Sequence, residues 1–133
     1  MTYNYIQKAP SKRTVLFLAV LLFVVVFSIY FPRTAISPQD SDGAEYAAAA
    51  VTGSIVHPPG YPVYMALARE LVSHFGSNPY HTLAIFSSVC QALAVSVLFL
   101  IGIELGFSAL IPFCIAIVWG IFGPTIRTAT DVE

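Results

Sequence analysis

The chain has 133 residues, of which 57% are hydrophobic and only 10% are charged. A soluble domain of this size could not bury so much apolar surface, so the composition predicts an integral membrane protein. The formal net charge is -1 and the six basic residues are scattered, which argues against nucleic-acid binding because that function needs a basic surface. Both cysteines, Cys90 and Cys114, lie in apolar runs and are interpreted as small buried hydrophobic residues.

The first uncharged apolar run covers residues 15–31. Its length is close to the roughly 20 residues that a transmembrane helix needs. Residues 1–14 are predicted to form a cytoplasmic tail, because Lys8, Lys12 and Arg13 lie beside the span and basic residues are retained on the cytoplasmic side. A cleaved secretory signal would also start with positive charge, but no clear small-residue cleavage site follows, which favours an uncleaved anchor.

Residues 32–82 are then predicted to form a loop on the outer face of the membrane. Asp42 and Glu45 stand directly before an alanine-rich helical segment in this loop, which is a capping-box pattern. The same position also suits a functional role, because a helix N-terminus keeps a nearby carboxylate ionised and able to accept a proton or a metal. The two interpretations are compatible, and the residues alone leave both open.

The segment HPPGYP, residues 57–62, predicts a turn followed by a new helix that begins at Pro62. Apolar residues recur at helical spacing after this turn, and charged residues occupy the opposite face. The apolar stripe contains Val63, Tyr64, Leu67, Ala68, Leu71, Val72 and Phe75. We expect this amphipathic helix to lie in the plane of the membrane interface.

Two further apolar runs, residues 83–103 and 105–126, are predicted to be transmembrane helices joined by a tight turn with Gly106 as a helix C-terminal cap. Pro112 lies near the first turn of the last helix, so we expect at most a slight kink there. Residues 127–133 then return to the outer face. Uncharged polar residues inside the spans are interpreted as helix-packing contacts; they are Ser87, Ser88, Gln91 and Ser96.

This topology gathers most of the acidic residues on the outer side of the membrane, beside the ends of the spans. They are Asp40, Asp42, Glu45, Asp131 and Glu133. Acidic groups that converge at a membrane surface suggest a functional site.

The chain also resembles a known family. It combines an acidic D-x-x-E motif after the first span, the segment HPPGYPVY, an amphipathic helix, an NP pair and a span that opens with LAIFSSVCQALAV. This combination resembles the N-terminal part of a polytopic membrane family related to the transmembrane protein O-mannosyltransferases, in the GT-C glycosyltransferase superfamily. The resemblance covers roughly residues 39–133 and implies a partial GT-C fold, all-α, with three transmembrane helices and a helical outer loop.

The resemblance implies an enzyme that moves a sugar from a polyprenyl-phosphate donor to an acceptor hydroxyl on protein or glycan, at the periplasmic, extracellular or lumenal side. It also implies an essential acid in the first outer loop. Asp42 is the preferred general base, with Glu45 to orient it and Asp40 as an alternative register. The second acidic motif of the family corresponds to Asp131.

Three further residues are candidates to contact the phosphate or the substrate, and each also has a structural interpretation. His57 would otherwise be a polar turn residue, whereas Tyr61 and Arg127 would be anchors at the membrane interface. The chemistry requires no cofactor. The sequence leaves open whether a divalent metal binds, because Asp42 and Glu45, one helical turn apart, supply only a partial site.

GT-C enzymes have many more spans than this chain, so we expect it to be an N-terminal fragment. The alternative is a small three-span membrane protein without enzymatic activity, with a structural, assembly or transport role. Further spans in frame after Glu133 would favour the transferase.

Overall fold

The computed structural model describes residues 10–38, 41–58 and 60–132, and these residues form helices and connecting turns without any strand. In chain order the helices are α1 (Lys12–Tyr30), α2 (Ser41–Thr52), α3 (Pro62–Phe75), α4 (Pro79–Glu104), α5 (Leu110–Ile121) and α6 (Gly123–Thr130). A short 3-10 turn, Phe31–Arg33, extends α1. The predicted all-α membrane class is confirmed, since two helices are long and apolar enough to cross a membrane and a third span is completed if α5 and α6 count together.

The two long spans begin at polar caps. The Ser11 hydroxyl accepts the backbone N–H of Thr14 at the start of α1, at 3.1 Å. The Asn78 side chain accepts the N–H of His81 at the start of α4, at 3.2 Å. Because α4 starts with this capped polar turn, it begins four residues before the apolar run at residue 83. The turn after α4 contains Gly106 with φ +84°, the left-handed conformation expected of a helix C-terminal cap.

The last apolar run is not one continuous helix. A bend of 63° separates α5 from α6, with Phe122 in an extended conformation between them. Pro112 lies in the first turn of α5, as expected, and the bend lies at the other end of that helix. Pro124 lies in the first turn of α6, where its missing N–H costs nothing. In an unbroken helix the same proline would remove an internal hydrogen bond.

The spans pack through close approaches at small residues. A Cβ on Gly120 would lie 3.2 Å from a methyl group of Val26 and 3.3 Å from one of Val95. A Cβ on Gly102 would clash with the Cβ of Pro112. The Tyr30 hydroxyl donates to the carbonyl of Gly120 across this contact. Helices in a membrane associate through such contacts because lipid provides no hydrophobic drive between them. These contacts hold α1, α4 and α5 as one bundle.

Ser88 and Ser96 act as the predicted packing contacts. The Ser96 hydroxyl donates to the Ala19 carbonyl of α1 at 3.0 Å, and the Ser88 hydroxyl donates to the Ala129 carbonyl of α6 at 2.7 Å. Both side chains are buried. The two cysteines, predicted to be buried, are exposed on outward faces of their helices. That prediction was wrong because a helix that is apolar all round does not show which face packs.

A second core lies at one end of the bundle, where α2 and α3 pack on the start of α4. Its buried side chains include Ala49, Val56, Met65, Ala68 and Leu83. Only part of the predicted apolar stripe of α3 joins this core. Val63 and Phe75, at its two ends, stay 75% and 71% exposed. The exposed part fits the expected contact of α3 with the membrane interface, which stays a prediction.

Candidate functional site

The first turn of α2 and the loop that follows this helix bring an acidic pair and a histidine together. Asp42 is exposed and Glu45 lies one turn further along α2, half-buried. His57 donates its backbone N–H to one carboxylate oxygen of Glu45 at 2.7 Å, and its ring Nδ1 lies 2.8 Å from the other. Ligand atoms of Asp42, Glu45 and His57 all lie within 4.8 Å of one another.

The ionisation of Glu45 and His57 is coupled through this contact. The side-chain hydrogen bond from His57 is the main cause that lowers the pKa of Glu45, helped by the backbone hydrogen bond from the same residue. The same contact with Glu45 raises the pKa of His57, and the Coulomb attraction of Glu45 and Asp42 adds to it. The pair therefore favours a carboxylate beside an imidazolium.

This geometry changes the interpretation of the capping box. Helix α2 begins at Ser41, so Asp42 lies inside the first turn rather than at the cap. Glu45 binds His57, in the loop after the C-terminal end of α2. The capping-box interpretation considered only the local spacing and could not include a partner twelve residues away. His57 is likewise more than a polar turn residue, since it closes the loop onto α2.

A second contact fixes the same loop from the other side. The Arg69 guanidinium on α3 donates to the carbonyls of Gly53 at 3.1 Å and Ser54 at 2.8 Å. These carbonyls follow the C-terminal end of α2, where a positive charge is favourable. The loop between α2 and α3 is thus held at its start by Arg69 and further along by Glu45.

Two tyrosines, Tyr46 and Tyr61, contact the histidine ring, and a third, Tyr64, packs on Tyr46. The Tyr46 ring is buried, with its centroid 5.9 Å from that of His57, 5.7 Å from that of Tyr61 and 5.6 Å from that of Tyr64. Burial is the main cause that raises the pKa of Tyr46, followed by the neighbouring Tyr61 and the two carboxylates. Burial also raises the pKa of Tyr64 to about 12. Both phenols therefore stay protonated at neutral pH.

The second acidic element lies against the start of α2. Asp131, which follows α6, is only 6% exposed. Its carboxylate accepts the Tyr80 hydroxyl and, at 2.8 Å, the N–H of Val132. A Cβ on Gly43 would lie 2.7 Å from the Val132 carbonyl and 2.9 Å from the Tyr80 hydroxyl. Gly43 follows Asp42 directly, so the structure brings the two acidic elements to one place in the fold.

The remaining predicted site residues have different positions. Arg127 is exposed on α6, and no side chain in the described part of the chain forms a hydrogen bond or ion pair with its guanidinium. Tyr61 lies beside His57, with ring centroids 6.3 Å apart. Asp40 lies outside the described residues.

Sequence reasoning missed Gly43, Tyr46 and Tyr80 as parts of this site. Gly43 lies inside the D-x-x-E segment and Tyr46 follows it directly, so a small residue and an aromatic neighbour could have been noted as packing signals. Tyr80 stands in the first turn of α4 and meets Asp131 only through tertiary packing. No local pattern indicates that contact.

A divalent cation could be held by Asp42, Glu45 and His57. Two carboxylates and an imidazole are a ligand set that zinc and similar transition metals accept. Ligand atoms of the three side chains lie within 4.8 Å of one another, and a metal bound at Nδ1 of His57 would replace the hydrogen bond to Glu45. His57 adds the ligand that the acidic pair alone lacked.

Comparison with known proteins places these observations in a family. Residues 42–118 match the protein O-mannosyl-transferase TMEM260 N-terminal domain, and this match covers more than half of the chain. It begins at Asp42 and includes Glu45, His57 and Tyr61, whereas Arg127 and Asp131 lie beyond it. No curated protein and no solved structure matches the chain significantly. The chain belongs to the protein O-mannosyl-transferase TMEM260 N-terminal domain family.

Proposed function

We propose that the protein carrying this chain is a membrane glycosyltransferase of the GT-C type, which moves a sugar from a polyprenyl-phosphate donor to an acceptor hydroxyl. The family name suggests mannose as the sugar and protein as the acceptor. The observation that carries the proposal is the cluster of Asp42, Glu45 and His57 at the end of a membrane-spanning bundle. A lipid-linked donor can keep its chain in the membrane while its sugar reaches such a site.

Asp42 is the proposed general base. The acceptor oxygen forms a bond to the anomeric carbon, the bond from that carbon to the phosphate oxygen breaks, and the acceptor proton passes to the Asp42 carboxylate. The polyprenyl phosphate leaves with the electron pair of the broken bond. A base for this step must lie within hydrogen-bond reach of the hydroxyl. The Asp42 side chain is exposed at the start of α2, so an acceptor hydroxyl can approach it from outside.

The other two acids are less suited to that role. Both carboxylate oxygens of Glu45 accept hydrogen bonds from His57, and the lowered pKa of Glu45 makes it a weaker base. Asp131 is buried and binds Tyr80. We therefore assign Glu45 to positioning His57 at the site, and Asp131 to holding the α6 end against α2.

The leaving phosphate needs a positive charge more than it needs a proton donor. A protonated His57 supplies that charge, and the raised pKa of this residue supports the assignment. In the alternative arrangement, a divalent cation on the same three side chains would supply this charge, and Asp42 would then be a metal ligand rather than the base. The transfer rate measured after chelation with EDTA distinguishes a protonated His57 from a bound divalent cation as the source of this charge. An unchanged rate assigns the charge to His57, and a loss that added metal restores assigns it to the cation.

We further propose that the N-terminus is cytoplasmic and that the loop holding the site lies on the outer face, as the basic residues before α1 favour. The test is a cysteine at the exposed Ser54, in a chain whose native cysteines are replaced by serine. An impermeant thiol reagent should label intact cells at this position, and it should label Glu104→Cys only after permeabilisation. The reverse pattern would overturn the orientation.

The transferase proposal is tested with protein expressed from the complete gene and purified in lipid nanodiscs. Polyprenyl-phosphate mannose and a serine- and threonine-containing peptide should give a glycosylated peptide, detected by mass spectrometry. Donors with other hexoses on the same lipid define the sugar preference. Transfer from a nucleotide sugar in the absence of any polyprenyl phosphate would overturn the lipid-linked donor, and no transfer from any lipid-linked hexose would overturn the function.

A further inference from the structure

Tyr61 has an unusual backbone conformation. Its φ is +40° and its ψ is 58°, and it is the one residue other than glycine with a positive φ among the described residues. This left-handed region is unfavourable for a side chain with a Cβ, which is why glycine normally occupies it. A conformation of this kind persists only where the surrounding structure holds it, and such residues cluster at ligand-binding and active sites.

The surroundings of Tyr61 fix the ring beside the acidic site. It meets the buried Tyr46 ring edge-on, with centroids 5.7 Å apart. It also meets the His57 ring edge-on at 6.3 Å, and His57 in turn binds Glu45. Pro62 follows directly, fixes its own φ and starts α3. The position of the Tyr61 ring is therefore set by the groups that also hold the carboxylates.

Tyr61 nevertheless keeps 43% of its surface exposed, whereas Tyr46 keeps 7%. Tyr46 is thus the buried support, and Tyr61 presents an aromatic surface to the outside. A hexopyranose has one face formed largely by C–H groups, and an aromatic ring offers that face a large, rigid apolar contact with few rotatable bonds. His57 binds Glu45, and ligand atoms of Asp42 lie within 4.8 Å of both, so these polar groups could bind the hydroxyl groups of such a sugar.

We propose that Tyr61 is a stacking platform for the pyranose ring of the donor, and that its strained conformation aims the ring so that the anomeric carbon faces Asp42. This inference rests on the proposed transferase function and adds a sugar subsite to it. The ligand class is a hexopyranose linked to a polyprenyl phosphate. The buried Tyr46 ring packs against Tyr61 and does not contact the sugar in this arrangement.

The competing role for an exposed tyrosine near a membrane is to anchor the helix at the interface. Phe75 provides the matched control for that role. It is an exposed aromatic residue at the opposite end of α3, 71% exposed, and its described ring contact is with His74. Loss of an interface anchor should have similar effects at either position, whereas loss of a sugar platform should appear at Tyr61 alone.

The test measures kcat and KM for polyprenyl-phosphate mannose with the complete protein in nanodiscs. Tyr61→Asn removes the ring while keeping a residue that tolerates positive φ. We expect its KM to rise about tenfold, the change that roughly 1.4 kcal/mol of lost binding produces, with a much smaller change in kcat. Tyr61→Phe should keep a KM near that of the wild type. Phe75→Asn should leave both constants unchanged.

Tyr61→Gly is a second ringless variant that relieves the backbone conformation entirely, and it should show the same rise in KM if Tyr61→Asn lowers the yield of folded protein. A wild-type KM in both ringless variants would overturn the platform and leave the transferase function standing. An equal rise in KM in Phe75→Asn would overturn it in favour of interface anchoring. Absence of transfer by the wild type would overturn the transferase function, and the platform with it.

Discussion

His57 gives two hydrogen bonds to one carboxylate: its backbone N–H lies 2.7 Å from Oε1 of Glu45, and its ring Nδ1 lies 2.8 Å from Oε2. This double contact joins the loop after α2 to the first turns of that helix. It also sets the charge at the site, because each partner favours the ionised form of the other.

The contact predicts that protection of the His57 amide depends on pH. The pKa of Glu45 is lowered from 4.5, so its contribution is complete above pH 4.5 and is lost as pH falls through the lowered value. The pKa of His57 is raised from 6.5, so its contribution is complete below pH 6.5 and is lost as pH rises through the raised value. The loop should be most protected from pH 4.5 to 6.5.

Hydrogen–deuterium exchange of the His57 amide, corrected for the intrinsic rate at each pH, measures this dependence. In the wild type, protection of the His57 amide should decline above pH 6.5. In Glu45→Gln, protection of this amide should be lower at every pH and should depend less on pH. Glu70→Gln is the control, because Glu70 pairs with the exposed His74 at 3.5 Å, away from this loop. A decline that persists in Glu45→Gln would assign the pH dependence to another group.

Gly43 should not accept a side chain. A Cβ at this position would meet the Val132 carbonyl at 2.7 Å and the Tyr80 ring at 2.9 Å, so α2 would have to move away from α4 and the segment after α6. Overpacking of this kind typically costs about 1–3 kcal/mol. We expect Gly43→Ala to lower the thermal unfolding midpoint in detergent.

The matched control is Gly123→Ala, because a Cβ on Gly123 has no neighbour within 4 Å. This variant should keep the unfolding midpoint of the wild type. Equal midpoints for Gly43→Ala and the wild type would show that α2 does not pack against Tyr80 as closely as described.

Tyr80 and Asp131 should act as a coupled pair. Tyr80→Phe removes the hydroxyl that donates to a buried carboxylate, and a buried acceptor that loses its partner costs about 1–3 kcal/mol. Asp131→Asn replaces the carboxylate that accepts this hydrogen bond with an uncharged amide. Because both variants disturb one interaction, the loss in the double variant should be smaller than the sum of the single losses. Additive losses in a double-mutant cycle of unfolding free energies would show that the hydrogen bond contributes nothing.

Long apolar runs made α1 and α4 predictable, because residues that span a membrane show their length in the sequence. The break at Phe122 was not predictable from hydropathy, since the run stays apolar through it and only the position of Pro124 indicates where a helix must restart. The sequence also did not show which face of each helix packs against its neighbours. Cys90 and Cys114 are exposed although their neighbours in sequence are as apolar as those of buried residues.

The acidic part of the candidate site was predictable from the spacing of Asp42 and Glu45. The predicted order of the membrane spans suggested Asp131 as their neighbour. The partners of these acids were not. His57 meets Glu45 only after the HPPGYP turn has closed, and Tyr80 meets Asp131 across 51 residues of chain. Contacts of this kind depend on how the helices pack, which a local pattern does not contain.

Asp42 is the proposed acceptor of the proton that the acceptor hydroxyl loses during sugar transfer. The most direct test of this role is the rate of transfer from polyprenyl-phosphate mannose by Asp42→Asn, with Glu70→Gln as a control that removes an exposed acid from α3. General-base catalysis typically contributes about 10²–10⁴-fold, so Asp42→Asn should lose kcat by that factor while folding normally, and the control should keep the wild-type rate. A wild-type kcat in Asp42→Asn would contradict the account.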